Sequence, residues 1–398
     1  MAEFITPISV RGRYLWKGGD RFIINGVVFQ PHRASRREKL PSTPDPLAED
    51  RLEELETSIP LFKELGLNTL FVYFIEPSKN HDAAMDLLAK AGIYVVACLS
   101  TPHRSIRRSE PEASYTAELL QSFFRAVDCM AAYNNTLGVV VANEVINSYP
   151  STVAAPVVRA VARDVKRYMA VAAEFSGQRV VPVGINSADV PGVIRSQFEY
   201  FSAGDEREAI DFFTLVRAGV YVHIGVKRFE DTHIPVFFSE YGANTSSDGR
   251  IFQETRCILS PAMTDTFSGG IVYEFFEGAN RYGLVKKNED GSFEKLQDFE
   301  NLRESIRACK GLQHSASLEG PGGEIPTPKK FEMPKRSSDW RARPGIPESP
   351  LDWDEVTEQI EDRQWVDVER EILDFEVEDL AASVWQRFRI DGTGPRLG

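Results

Sequence analysis

The sequence lacks most features that would mark a membrane-embedded or nucleic-acid-binding protein. It has only 4 cysteines among 398 residues, and 59 acidic against 46 basic residues give a formal net charge of −13. This acidic balance disfavours binding to nucleic acid or to an anionic membrane surface. No apolar run approaches the roughly 20 residues needed to cross a bilayer, so the sequence predicts no transmembrane segment.

Recognisable targeting signals and metal-ligand patterns are also missing. Met1–Ile5 contains no basic stretch followed by an apolar core, and the C-terminus is charged, so we expect neither a signal peptide nor a lipid-anchor signal. Cys98, Cys129, Cys257 and Cys309 are isolated along the chain, which predicts free thiols. Because the histidines also lack metal-ligand spacing, we predict no metal and no cofactor.

Strand-like and helix-like segments alternate from residue 22 to about residue 312. Apolar residues at helical spacing, such as Leu119, Phe123 and Val127, predict helices between short β-branched or aromatic runs. Repeated strand–helix units imply a parallel sheet, and eight of them predict an α/β fold, the (β/α)8 TIM barrel, with an open doubly wound sheet as the alternative. The predicted strands are Gly26–Gln30, Thr69–Phe74, Tyr94–Leu99, Leu137–Asn143, Val180–Gly184, Phe212–Val216, Val236–Glu240 and Gly270–Phe275.

The composition changes after Cys309. Residues 320–350 are dense in Pro, Gly, Ser, Lys and Arg, which is typical of a linker, and residues 351–398 are acidic with interleaved aromatic residues. We therefore predict a barrel over 1–312, a Pro/Gly-rich linker over 313–350 and an acidic tail over 351–398. The tail is expected to be disordered, or else to dock on the barrel or on a protein partner through its aromatic residues.

Two of the predicted strands end in a glutamate. Glu144 follows Asn143 after the apolar run Leu137–Val141, and Glu240 follows Ser239. Barrel enzymes place their catalytic groups at the carboxyl ends of the strands. Two glutamates there are typical of a retaining glycosidase, in which an acid/base and a nucleophile lie roughly 5–5.5 Å apart. The amide of Asn143 could then hydrogen-bond a sugar hydroxyl.

Ordered sequence motifs run through most of the predicted barrel. They include Phe22–Val27, Asp45–Ala48, Ile59–Thr69, Asn80–Asp82, Ala91–Val95, Leu99–Pro102, Asn135–Gly138, Val181–Gly184, Ile234–Gly242 and Phe267–Glu274. On these motifs, the chain resembles the fungal β-1,3-glucanosyltransferases of glycoside hydrolase family 72. The resemblance covers the predicted barrel and none of the acidic tail.

The resemblance implies a retaining enzyme that cleaves a β-1,3-glucan through a glycosyl-enzyme and transfers the new end to another glucan of the cell wall. It implies that Glu240 is the nucleophile and Glu144 the acid/base. Family members act at the cell surface, whereas the missing targeting signals leave a cytoplasmic location open. The residues implied to line the sugar subsites are Gln30, Tyr73, Asn143, Tyr221 and Tyr273.

Several positions depart from the family pattern. Phe71 stands where the family has an Arg, Cys98 where it has an Asp, and His223 where it has a Trp, and the family's cysteines are missing. Replacing both partners of a buried ion pair by apolar groups can be neutral for folding, whereas removing one partner costs about 3–5 kcal/mol. Because the lost groups would lie near the sugar, a second function stays open: a barrel that binds a glucan or a protein without turnover.

Overall fold

A small antiparallel sheet precedes the barrel. The computed structural model describes residues 5–31, 44–101, 104–216, 227–244, 249–312 and 331–362. Strands β1 (Ile8–Arg11), β2 (Tyr14–Lys17) and β3 (Asp20–Phe22) pair in chain order. Ile8 and Leu15 pack into the same apolar cluster as Tyr94, which begins a barrel strand. The sheet therefore covers the amino-terminal end of the barrel.

Eight parallel strands then close into a barrel, with each strand beside the next in chain order and the last beside the first. This confirms the predicted (β/α)8 barrel over the open sheet. The bounds of the fifth barrel strand differ most from the prediction, because it runs over Val183–Ala188 instead of Val180–Gly184. The barrel strands are β4 (Ile24–Val28), β5 (Thr69–Val72), β6 (Tyr94–Cys98), β7 (Thr136–Asn143), β8 (Val183–Ala188), β9 (Phe212–Val216), β10 (Val236–Tyr241) and β11 (Gly269–Val272).

Amphipathic helices cover the outside of the barrel. Thr116 caps one of them by accepting a hydrogen bond from the Leu119 N–H, and Gly66 and Gly177 end two others in the left-handed conformation that glycine adopts readily. Within the described residues, no helix combines the length and apolar character that a bilayer crossing requires. The helices are α1 (Leu52–Leu65), α2 (Asp82–Lys90), α3 (Pro111–Ser114), α4 (Ala117–Ala131), α5 (Ala155–Ser176), α6 (Ile194–Ser202), α7 (Gln253–Ile258), α8 (Pro261–Thr264) and α9 (Gln297–Arg307), and β12 (Val285–Lys287) pairs with β13 (Phe293–Lys295) before α9.

The barrel interior is packed with large apolar side chains. Phe212 fills the space beside Gly184, where an added Cβ would lie 2.2 Å from the Phe212 ring. Phe71 and Cys98 belong to this interior cluster and are 0% and 2% exposed. The two positions at which the resemblance expects an Arg and an Asp are thus part of an apolar floor.

Residues 331–362 pack on the outside of the barrel. Trp340 and Trp353 are buried, and their rings contact Tyr200 of α6 and Phe124 of α4, respectively. The Arg167 guanidinium lies 4.3 Å from the Trp353 ring centroid. Arg163 also donates a 3.0 Å hydrogen bond to the Pro347 carbonyl. The predicted linker and tail therefore contain packed residues from 331 to 362, because their widely spaced aromatic side chains bury against the helices. Residues 313–330 and 363–398 lie outside the described part of the chain.

Candidate active site

A cleft of about 490 Å³ opens at the carboxyl ends of the barrel strands. Glu144 follows β7 directly, and Glu240 is the last residue but one of β10. All the predicted site residues except Tyr221 line this cleft, and Tyr221, like His223, falls outside the described residues. The lining consists of Gln30, Tyr73, Phe74, Cys98, Ser100, Thr101, Ser105, Asn143, Glu144, Glu240 and Tyr273.

Glu240 is held by hydrogen bonds inside the cleft. The Tyr73 hydroxyl donates to Glu240 Oε1, although the two residues are 167 positions apart in the chain. Burial raises the pKa of Glu240 to about 7, and the negative charges of Glu144 and Glu274 act in the same direction. Hydrogen bonds from Tyr73 and Asn186 oppose this shift, because they favour the carboxylate. Glu240 therefore changes its charge near neutral pH in the free site.

Glu144 is held mainly through its backbone. Its φ of 47° is in the left-handed region, which costs a non-glycine residue on the order of 1–3 kcal/mol. The Glu144 N–H donates to the Asn186 carbonyl at 2.8 Å, and Arg108 Nη2 donates to the Glu144 carbonyl at 3.0 Å. Burial raises the pKa of the Glu144 carboxyl, and the positive charge of Arg108 opposes that rise.

Gln30 acts on the site through Tyr73. Gln30 Oε1 accepts a 3.1 Å hydrogen bond from the Tyr73 N–H, and Gln30 Nε2 donates to the Pro44 carbonyl at 2.7 Å. Both ends of this amide are thus used inside the protein. We infer that Gln30 orients Tyr73, which in turn holds Glu240.

Tyr273 follows β11 and faces the same cleft. Asn280 Nδ2 donates to the Tyr273 hydroxyl at 3.3 Å and to Glu274 Oε1 at 2.7 Å. Burial raises the pKa of Tyr273, and the nearby charges of Glu274 and Glu240 raise it further. Tyr273 is therefore a neutral phenol that can offer a hydrogen bond in the cleft.

The floor of the cleft is apolar and uncharged. The Phe71 and Tyr73 rings meet edge to face with centroids 5.2 Å apart. Burial raises the pKa of the Cys98 thiol, and the charge of Glu240 raises it further, so Cys98 remains a thiol. Among the described residues that line the cleft there is no cationic side chain, so nothing in that lining offsets the desolvation of Glu240 with a positive charge. Nor do the described residues include a cluster of three or more potential metal ligands.

Three polar residues around the cleft were missed by the sequence analysis: Asn186, Arg108 and Asn280. Asn186 sits two residues before the end of β8, much as Asn143 ends β7. The predicted strand stopped at Gly184, so Asn186 was placed outside it. A strand drawn through Ile185 and Asn186 would have flagged this second asparagine at the catalytic rim.

Comparisons with known proteins support a single family. A family model described as Glucanosyltransferase matches residues 1–310. The 1,3-beta-glucanosyltransferase gel1 of Aspergillus fumigatus is 38% identical over 353 residues, which cover 86% of this chain and 75% of the relative. The 1,3-beta-glucanosyltransferase PGA4 of Candida albicans is 38% identical over 361 residues, covering 87% of this chain and 75% of the relative.

A solved structure gives the same result. A Gas2p mutant of Saccharomyces cerevisiae in complex with laminaritetraose and laminaripentaose matches with a TM-score of 0.77 at 30% identity. The match covers 88% of this chain and 76% of that chain.

Proposed function

This chain belongs to the glucanosyltransferase family, glycoside hydrolase family 72, and on that premise we propose that Glu240 is its nucleophile and Glu144 its acid/base. The chain is a retaining 1,3-β-glucanosyltransferase. The observation that carries the proposed roles is that both glutamates line one cleft at the barrel's catalytic rim, where Tyr73 donates to Glu240.

In the first step, the Glu240 carboxylate attacks the anomeric carbon of a β-1,3-glucan. The bond between that carbon and the glycosidic oxygen breaks, and Glu144 delivers its proton to the leaving oxygen. The products are a glycosyl ester on Glu240, a shortened glucan with a free hydroxyl and an ionised Glu144.

In the second step, the 3-hydroxyl of another glucan enters the cleft. Ionised Glu144 takes the hydroxyl proton while the oxygen attacks the anomeric carbon, and the ester to Glu240 breaks. A new β-1,3 bond forms and both glutamates return to their starting states. Since no water is consumed, the net result is elongation of the acceptor.

The substrate is a β-1,3-glucan, an uncharged polymer whose hydroxyl groups fit the tyrosine, serine and amide groups that line the cleft beside the two glutamates. The laminari-oligosaccharides bound in the solved relative support this choice. We infer that the enzyme acts on cell-wall glucan at the cell surface. Binding of a protein partner by the tail beyond residue 362 stays a prediction.

The binding-only alternative rests on Phe71, Cys98 and His223, which replace polar or stacking groups of the family, and on the acidic aromatic tail. Phe71 and Cys98 lie together in the apolar floor of the barrel, where they preserve packing, and both carboxyl groups above them are retained. The relatives gel1 and PGA4 named above are glucanosyltransferases. We therefore propose transferase activity rather than binding without turnover.

The full chain incubated with laminari-oligosaccharides tests the function. We expect products longer than the substrate, detected by mass spectrometry, and their loss in Glu144→Gln. Glu289→Gln, a change at an exposed glutamate outside the cleft, is the matched control and should behave as wild type. Oligosaccharide binding with no change in chain length, or equal products from wild type and Glu144→Gln, would contradict the proposal.

A further inference from the structure

Asn186 lies between the strand ends that carry the two proposed catalytic glutamates. Its side chain is buried, with only 2% of the residue exposed, and it is not part of the cleft lining. It pairs in register with Asn143 across β7 and β8. Its polar groups therefore act on protein neighbours rather than on the sugar.

The oxygen side of the Asn186 amide is fixed by two hydroxyl groups. Thr214 Oγ1, on β9, shares its one proton between Asn186 Oδ1 at 2.9 Å and the Ile185 carbonyl at 3.1 Å. Ser239 Oγ, on β10, donates to Asn186 Oδ1. A carboxylate can only accept hydrogen bonds, so the Nδ2 end of the Asn186 amide faces Glu240 and the Oδ1 end faces the two hydroxyls.

The nitrogen side reaches both halves of the site. Asn186 Nδ2 donates to Asn143 Oδ1 at 2.6 Å, which leaves the Nδ2 end of Asn143 for a sugar hydroxyl. The Asn186 side chain is also a hydrogen-bond partner of Glu240 that favours its ionised form. One amide therefore orients the residue before Glu144 and stabilises the charge on Glu240.

The backbone of Asn186 adds a third link. Its carbonyl accepts the Glu144 N–H at 2.8 Å, at the residue whose φ is 47°. A backbone in this region persists only when its neighbours determine it. Asn186 thus contacts the peptide that carries one glutamate and the side chain of the other.

From these contacts we propose that Asn186 is a positioning residue that fixes Asn143, Glu144 and Glu240 relative to one another during glucan transfer. The inference rests on the proposed function, because it assigns a role within that reaction. Reacting groups must be placed closely, and a displacement of about 1 Å can cost on the order of 10²-fold in rate.

Two variants of Asn186 test the role. Asn186→Asp keeps the shape and the acceptor oxygen but loses the amide donor, and Asn186→Ala loses the donor without adding charge. Ser187→Ala is the matched control, since Ser187 is the next residue of β8, is equally buried, and has an Oγ without a hydrogen-bond partner among the described residues. For both Asn186 variants we expect kcat to fall about 10²-fold with KM nearly unchanged, while Ser187→Ala keeps its kcat.

A titration of Glu240 separates this inference from the proposed function. Carboxyl ¹³C NMR of glutamate-labelled protein, with Glu240→Gln for assignment, reads the ionisation of Glu240 without any substrate. Loss of the Asn186 donor should move the titration of Glu240 to higher pH, whereas Ser187→Ala should leave it in place. A wild type inactive on glucan would defeat the proposed function, and this titration would still decide the role of Asn186.

The inference is overturned if the folded Asn186 variants keep both the wild-type kcat and the wild-type titration, or if Ser187→Ala loses as much activity as they do. Thermal unfolding establishes that each variant is folded. Should both Asn186 variants fail to fold, Thr214→Val replaces them, because it removes one of the hydroxyls that orient the amide. A kcat about tenfold lower in Thr214→Val supports the inference, and an unchanged kcat overturns it.

Discussion

Glu240 and Glu144 stand at the ends of two strands of one barrel, but their surroundings differ. Glu240 lies above the apolar floor of Phe71 and Cys98 and receives a hydrogen bond from Tyr73. Glu144 has a left-handed backbone held through its N–H and carbonyl, with the positively charged Arg108 beside it. One carboxyl group is fixed by contacts to its oxygens, and the other by contacts to its peptide.

This difference shows how one fold separates two chemically identical groups. A nucleophile gains from donors that hold its carboxylate in place, whereas an acid/base must exchange its proton within one catalytic cycle. Burial raises the pKa of both glutamates, and the negative charge of Glu144 also opposes the ionisation of Glu240. Hydrogen bonds from Tyr73 and Asn186 oppose the rise of the Glu240 pKa. The charge of Arg108 instead opposes the rise of the Glu144 pKa.

Replacing each glutamate by alanine gives the largest expected loss of activity and tests which glutamate is the nucleophile and which is the acid/base. Either change should lower kcat by about 10³-fold or more on an oligosaccharide. With an activated aryl donor, azide should rescue Glu144→Ala to a β-glycosyl azide, because two displacements still occur. It should rescue Glu240→Ala to the α-glycosyl azide through one displacement. Proton NMR of the products distinguishes the anomers, and the opposite pattern would exchange the two roles.

Phe71→Arg sharpens the comparison by placing a positive charge in the apolar interior beside Tyr73, the residue that donates to Glu240. Phe71 is fully buried in the barrel interior, so a lone guanidinium there should destabilise the fold by about 3–5 kcal/mol. Adding Cys98→Asp supplies an anionic partner on the neighbouring strand and should recover part of that loss. Urea denaturation measures both variants, with Cys98→Asp alone as the control. If the single Phe71→Arg variant is as stable as wild type, the barrel interior around Phe71 does not exclude water.

The acidic limb of the pH profile tests the environment of Glu240. As the proposed nucleophile, Glu240 must be ionised, and burial raises its pKa to about 7, so kcat/KM should fall as the pH drops below about 7. Tyr73→Phe removes a donor that favours the carboxylate and should move this limb to still higher pH. Initial rates at constant ionic strength measure both profiles. A limb near the ordinary glutamate value of about 4.3 would contradict the proposed dry floor.

Much of the barrel could be predicted from the sequence, because buried parallel strands are short apolar runs between helical patterns. The end of a strand is harder to predict, and for this reason the predicted fifth strand did not include Asn186. Val180 is exposed, and β8 runs on through Asn186 because its pairing with β7 and β9 continues past Gly184. Long-range pairing, which local periodicity does not encode, sets that boundary.

The contacts of the site were less predictable than its residues. Tyr73 was named through the family resemblance, but its hydrogen bond to Glu240 depends on barrel closure. Arg108 lies in an irregular exposed segment without periodicity. The packed stretch from residue 331 begins with the composition of a linker. Its burial depends on a few aromatic residues, such as Trp340 and Trp353, that pack against the helices. In each case tertiary contacts outweighed local composition.

Arg108→Gln gives the smallest expected effect, and it acts on Glu144 alone. As the proposed acid/base, Glu144 must carry its proton in the first step, so activity should fall as the pH rises through the pKa of Glu144. Because Arg108 opposes the rise of that pKa, its removal should move the alkaline limb to higher pH. Solvent screens an exposed arginine, so the shift should be a few tenths of a pH unit, roughly that of a surface ion pair.

The neighbouring Arg107→Gln, which loses only an exposed ion pair with Glu110, is the control and should leave the limb in place. A limb that moves to lower pH would show that Arg108 does not act on the charge of Glu144, and the contrast between the two glutamates would then rest on Tyr73 and Asn186.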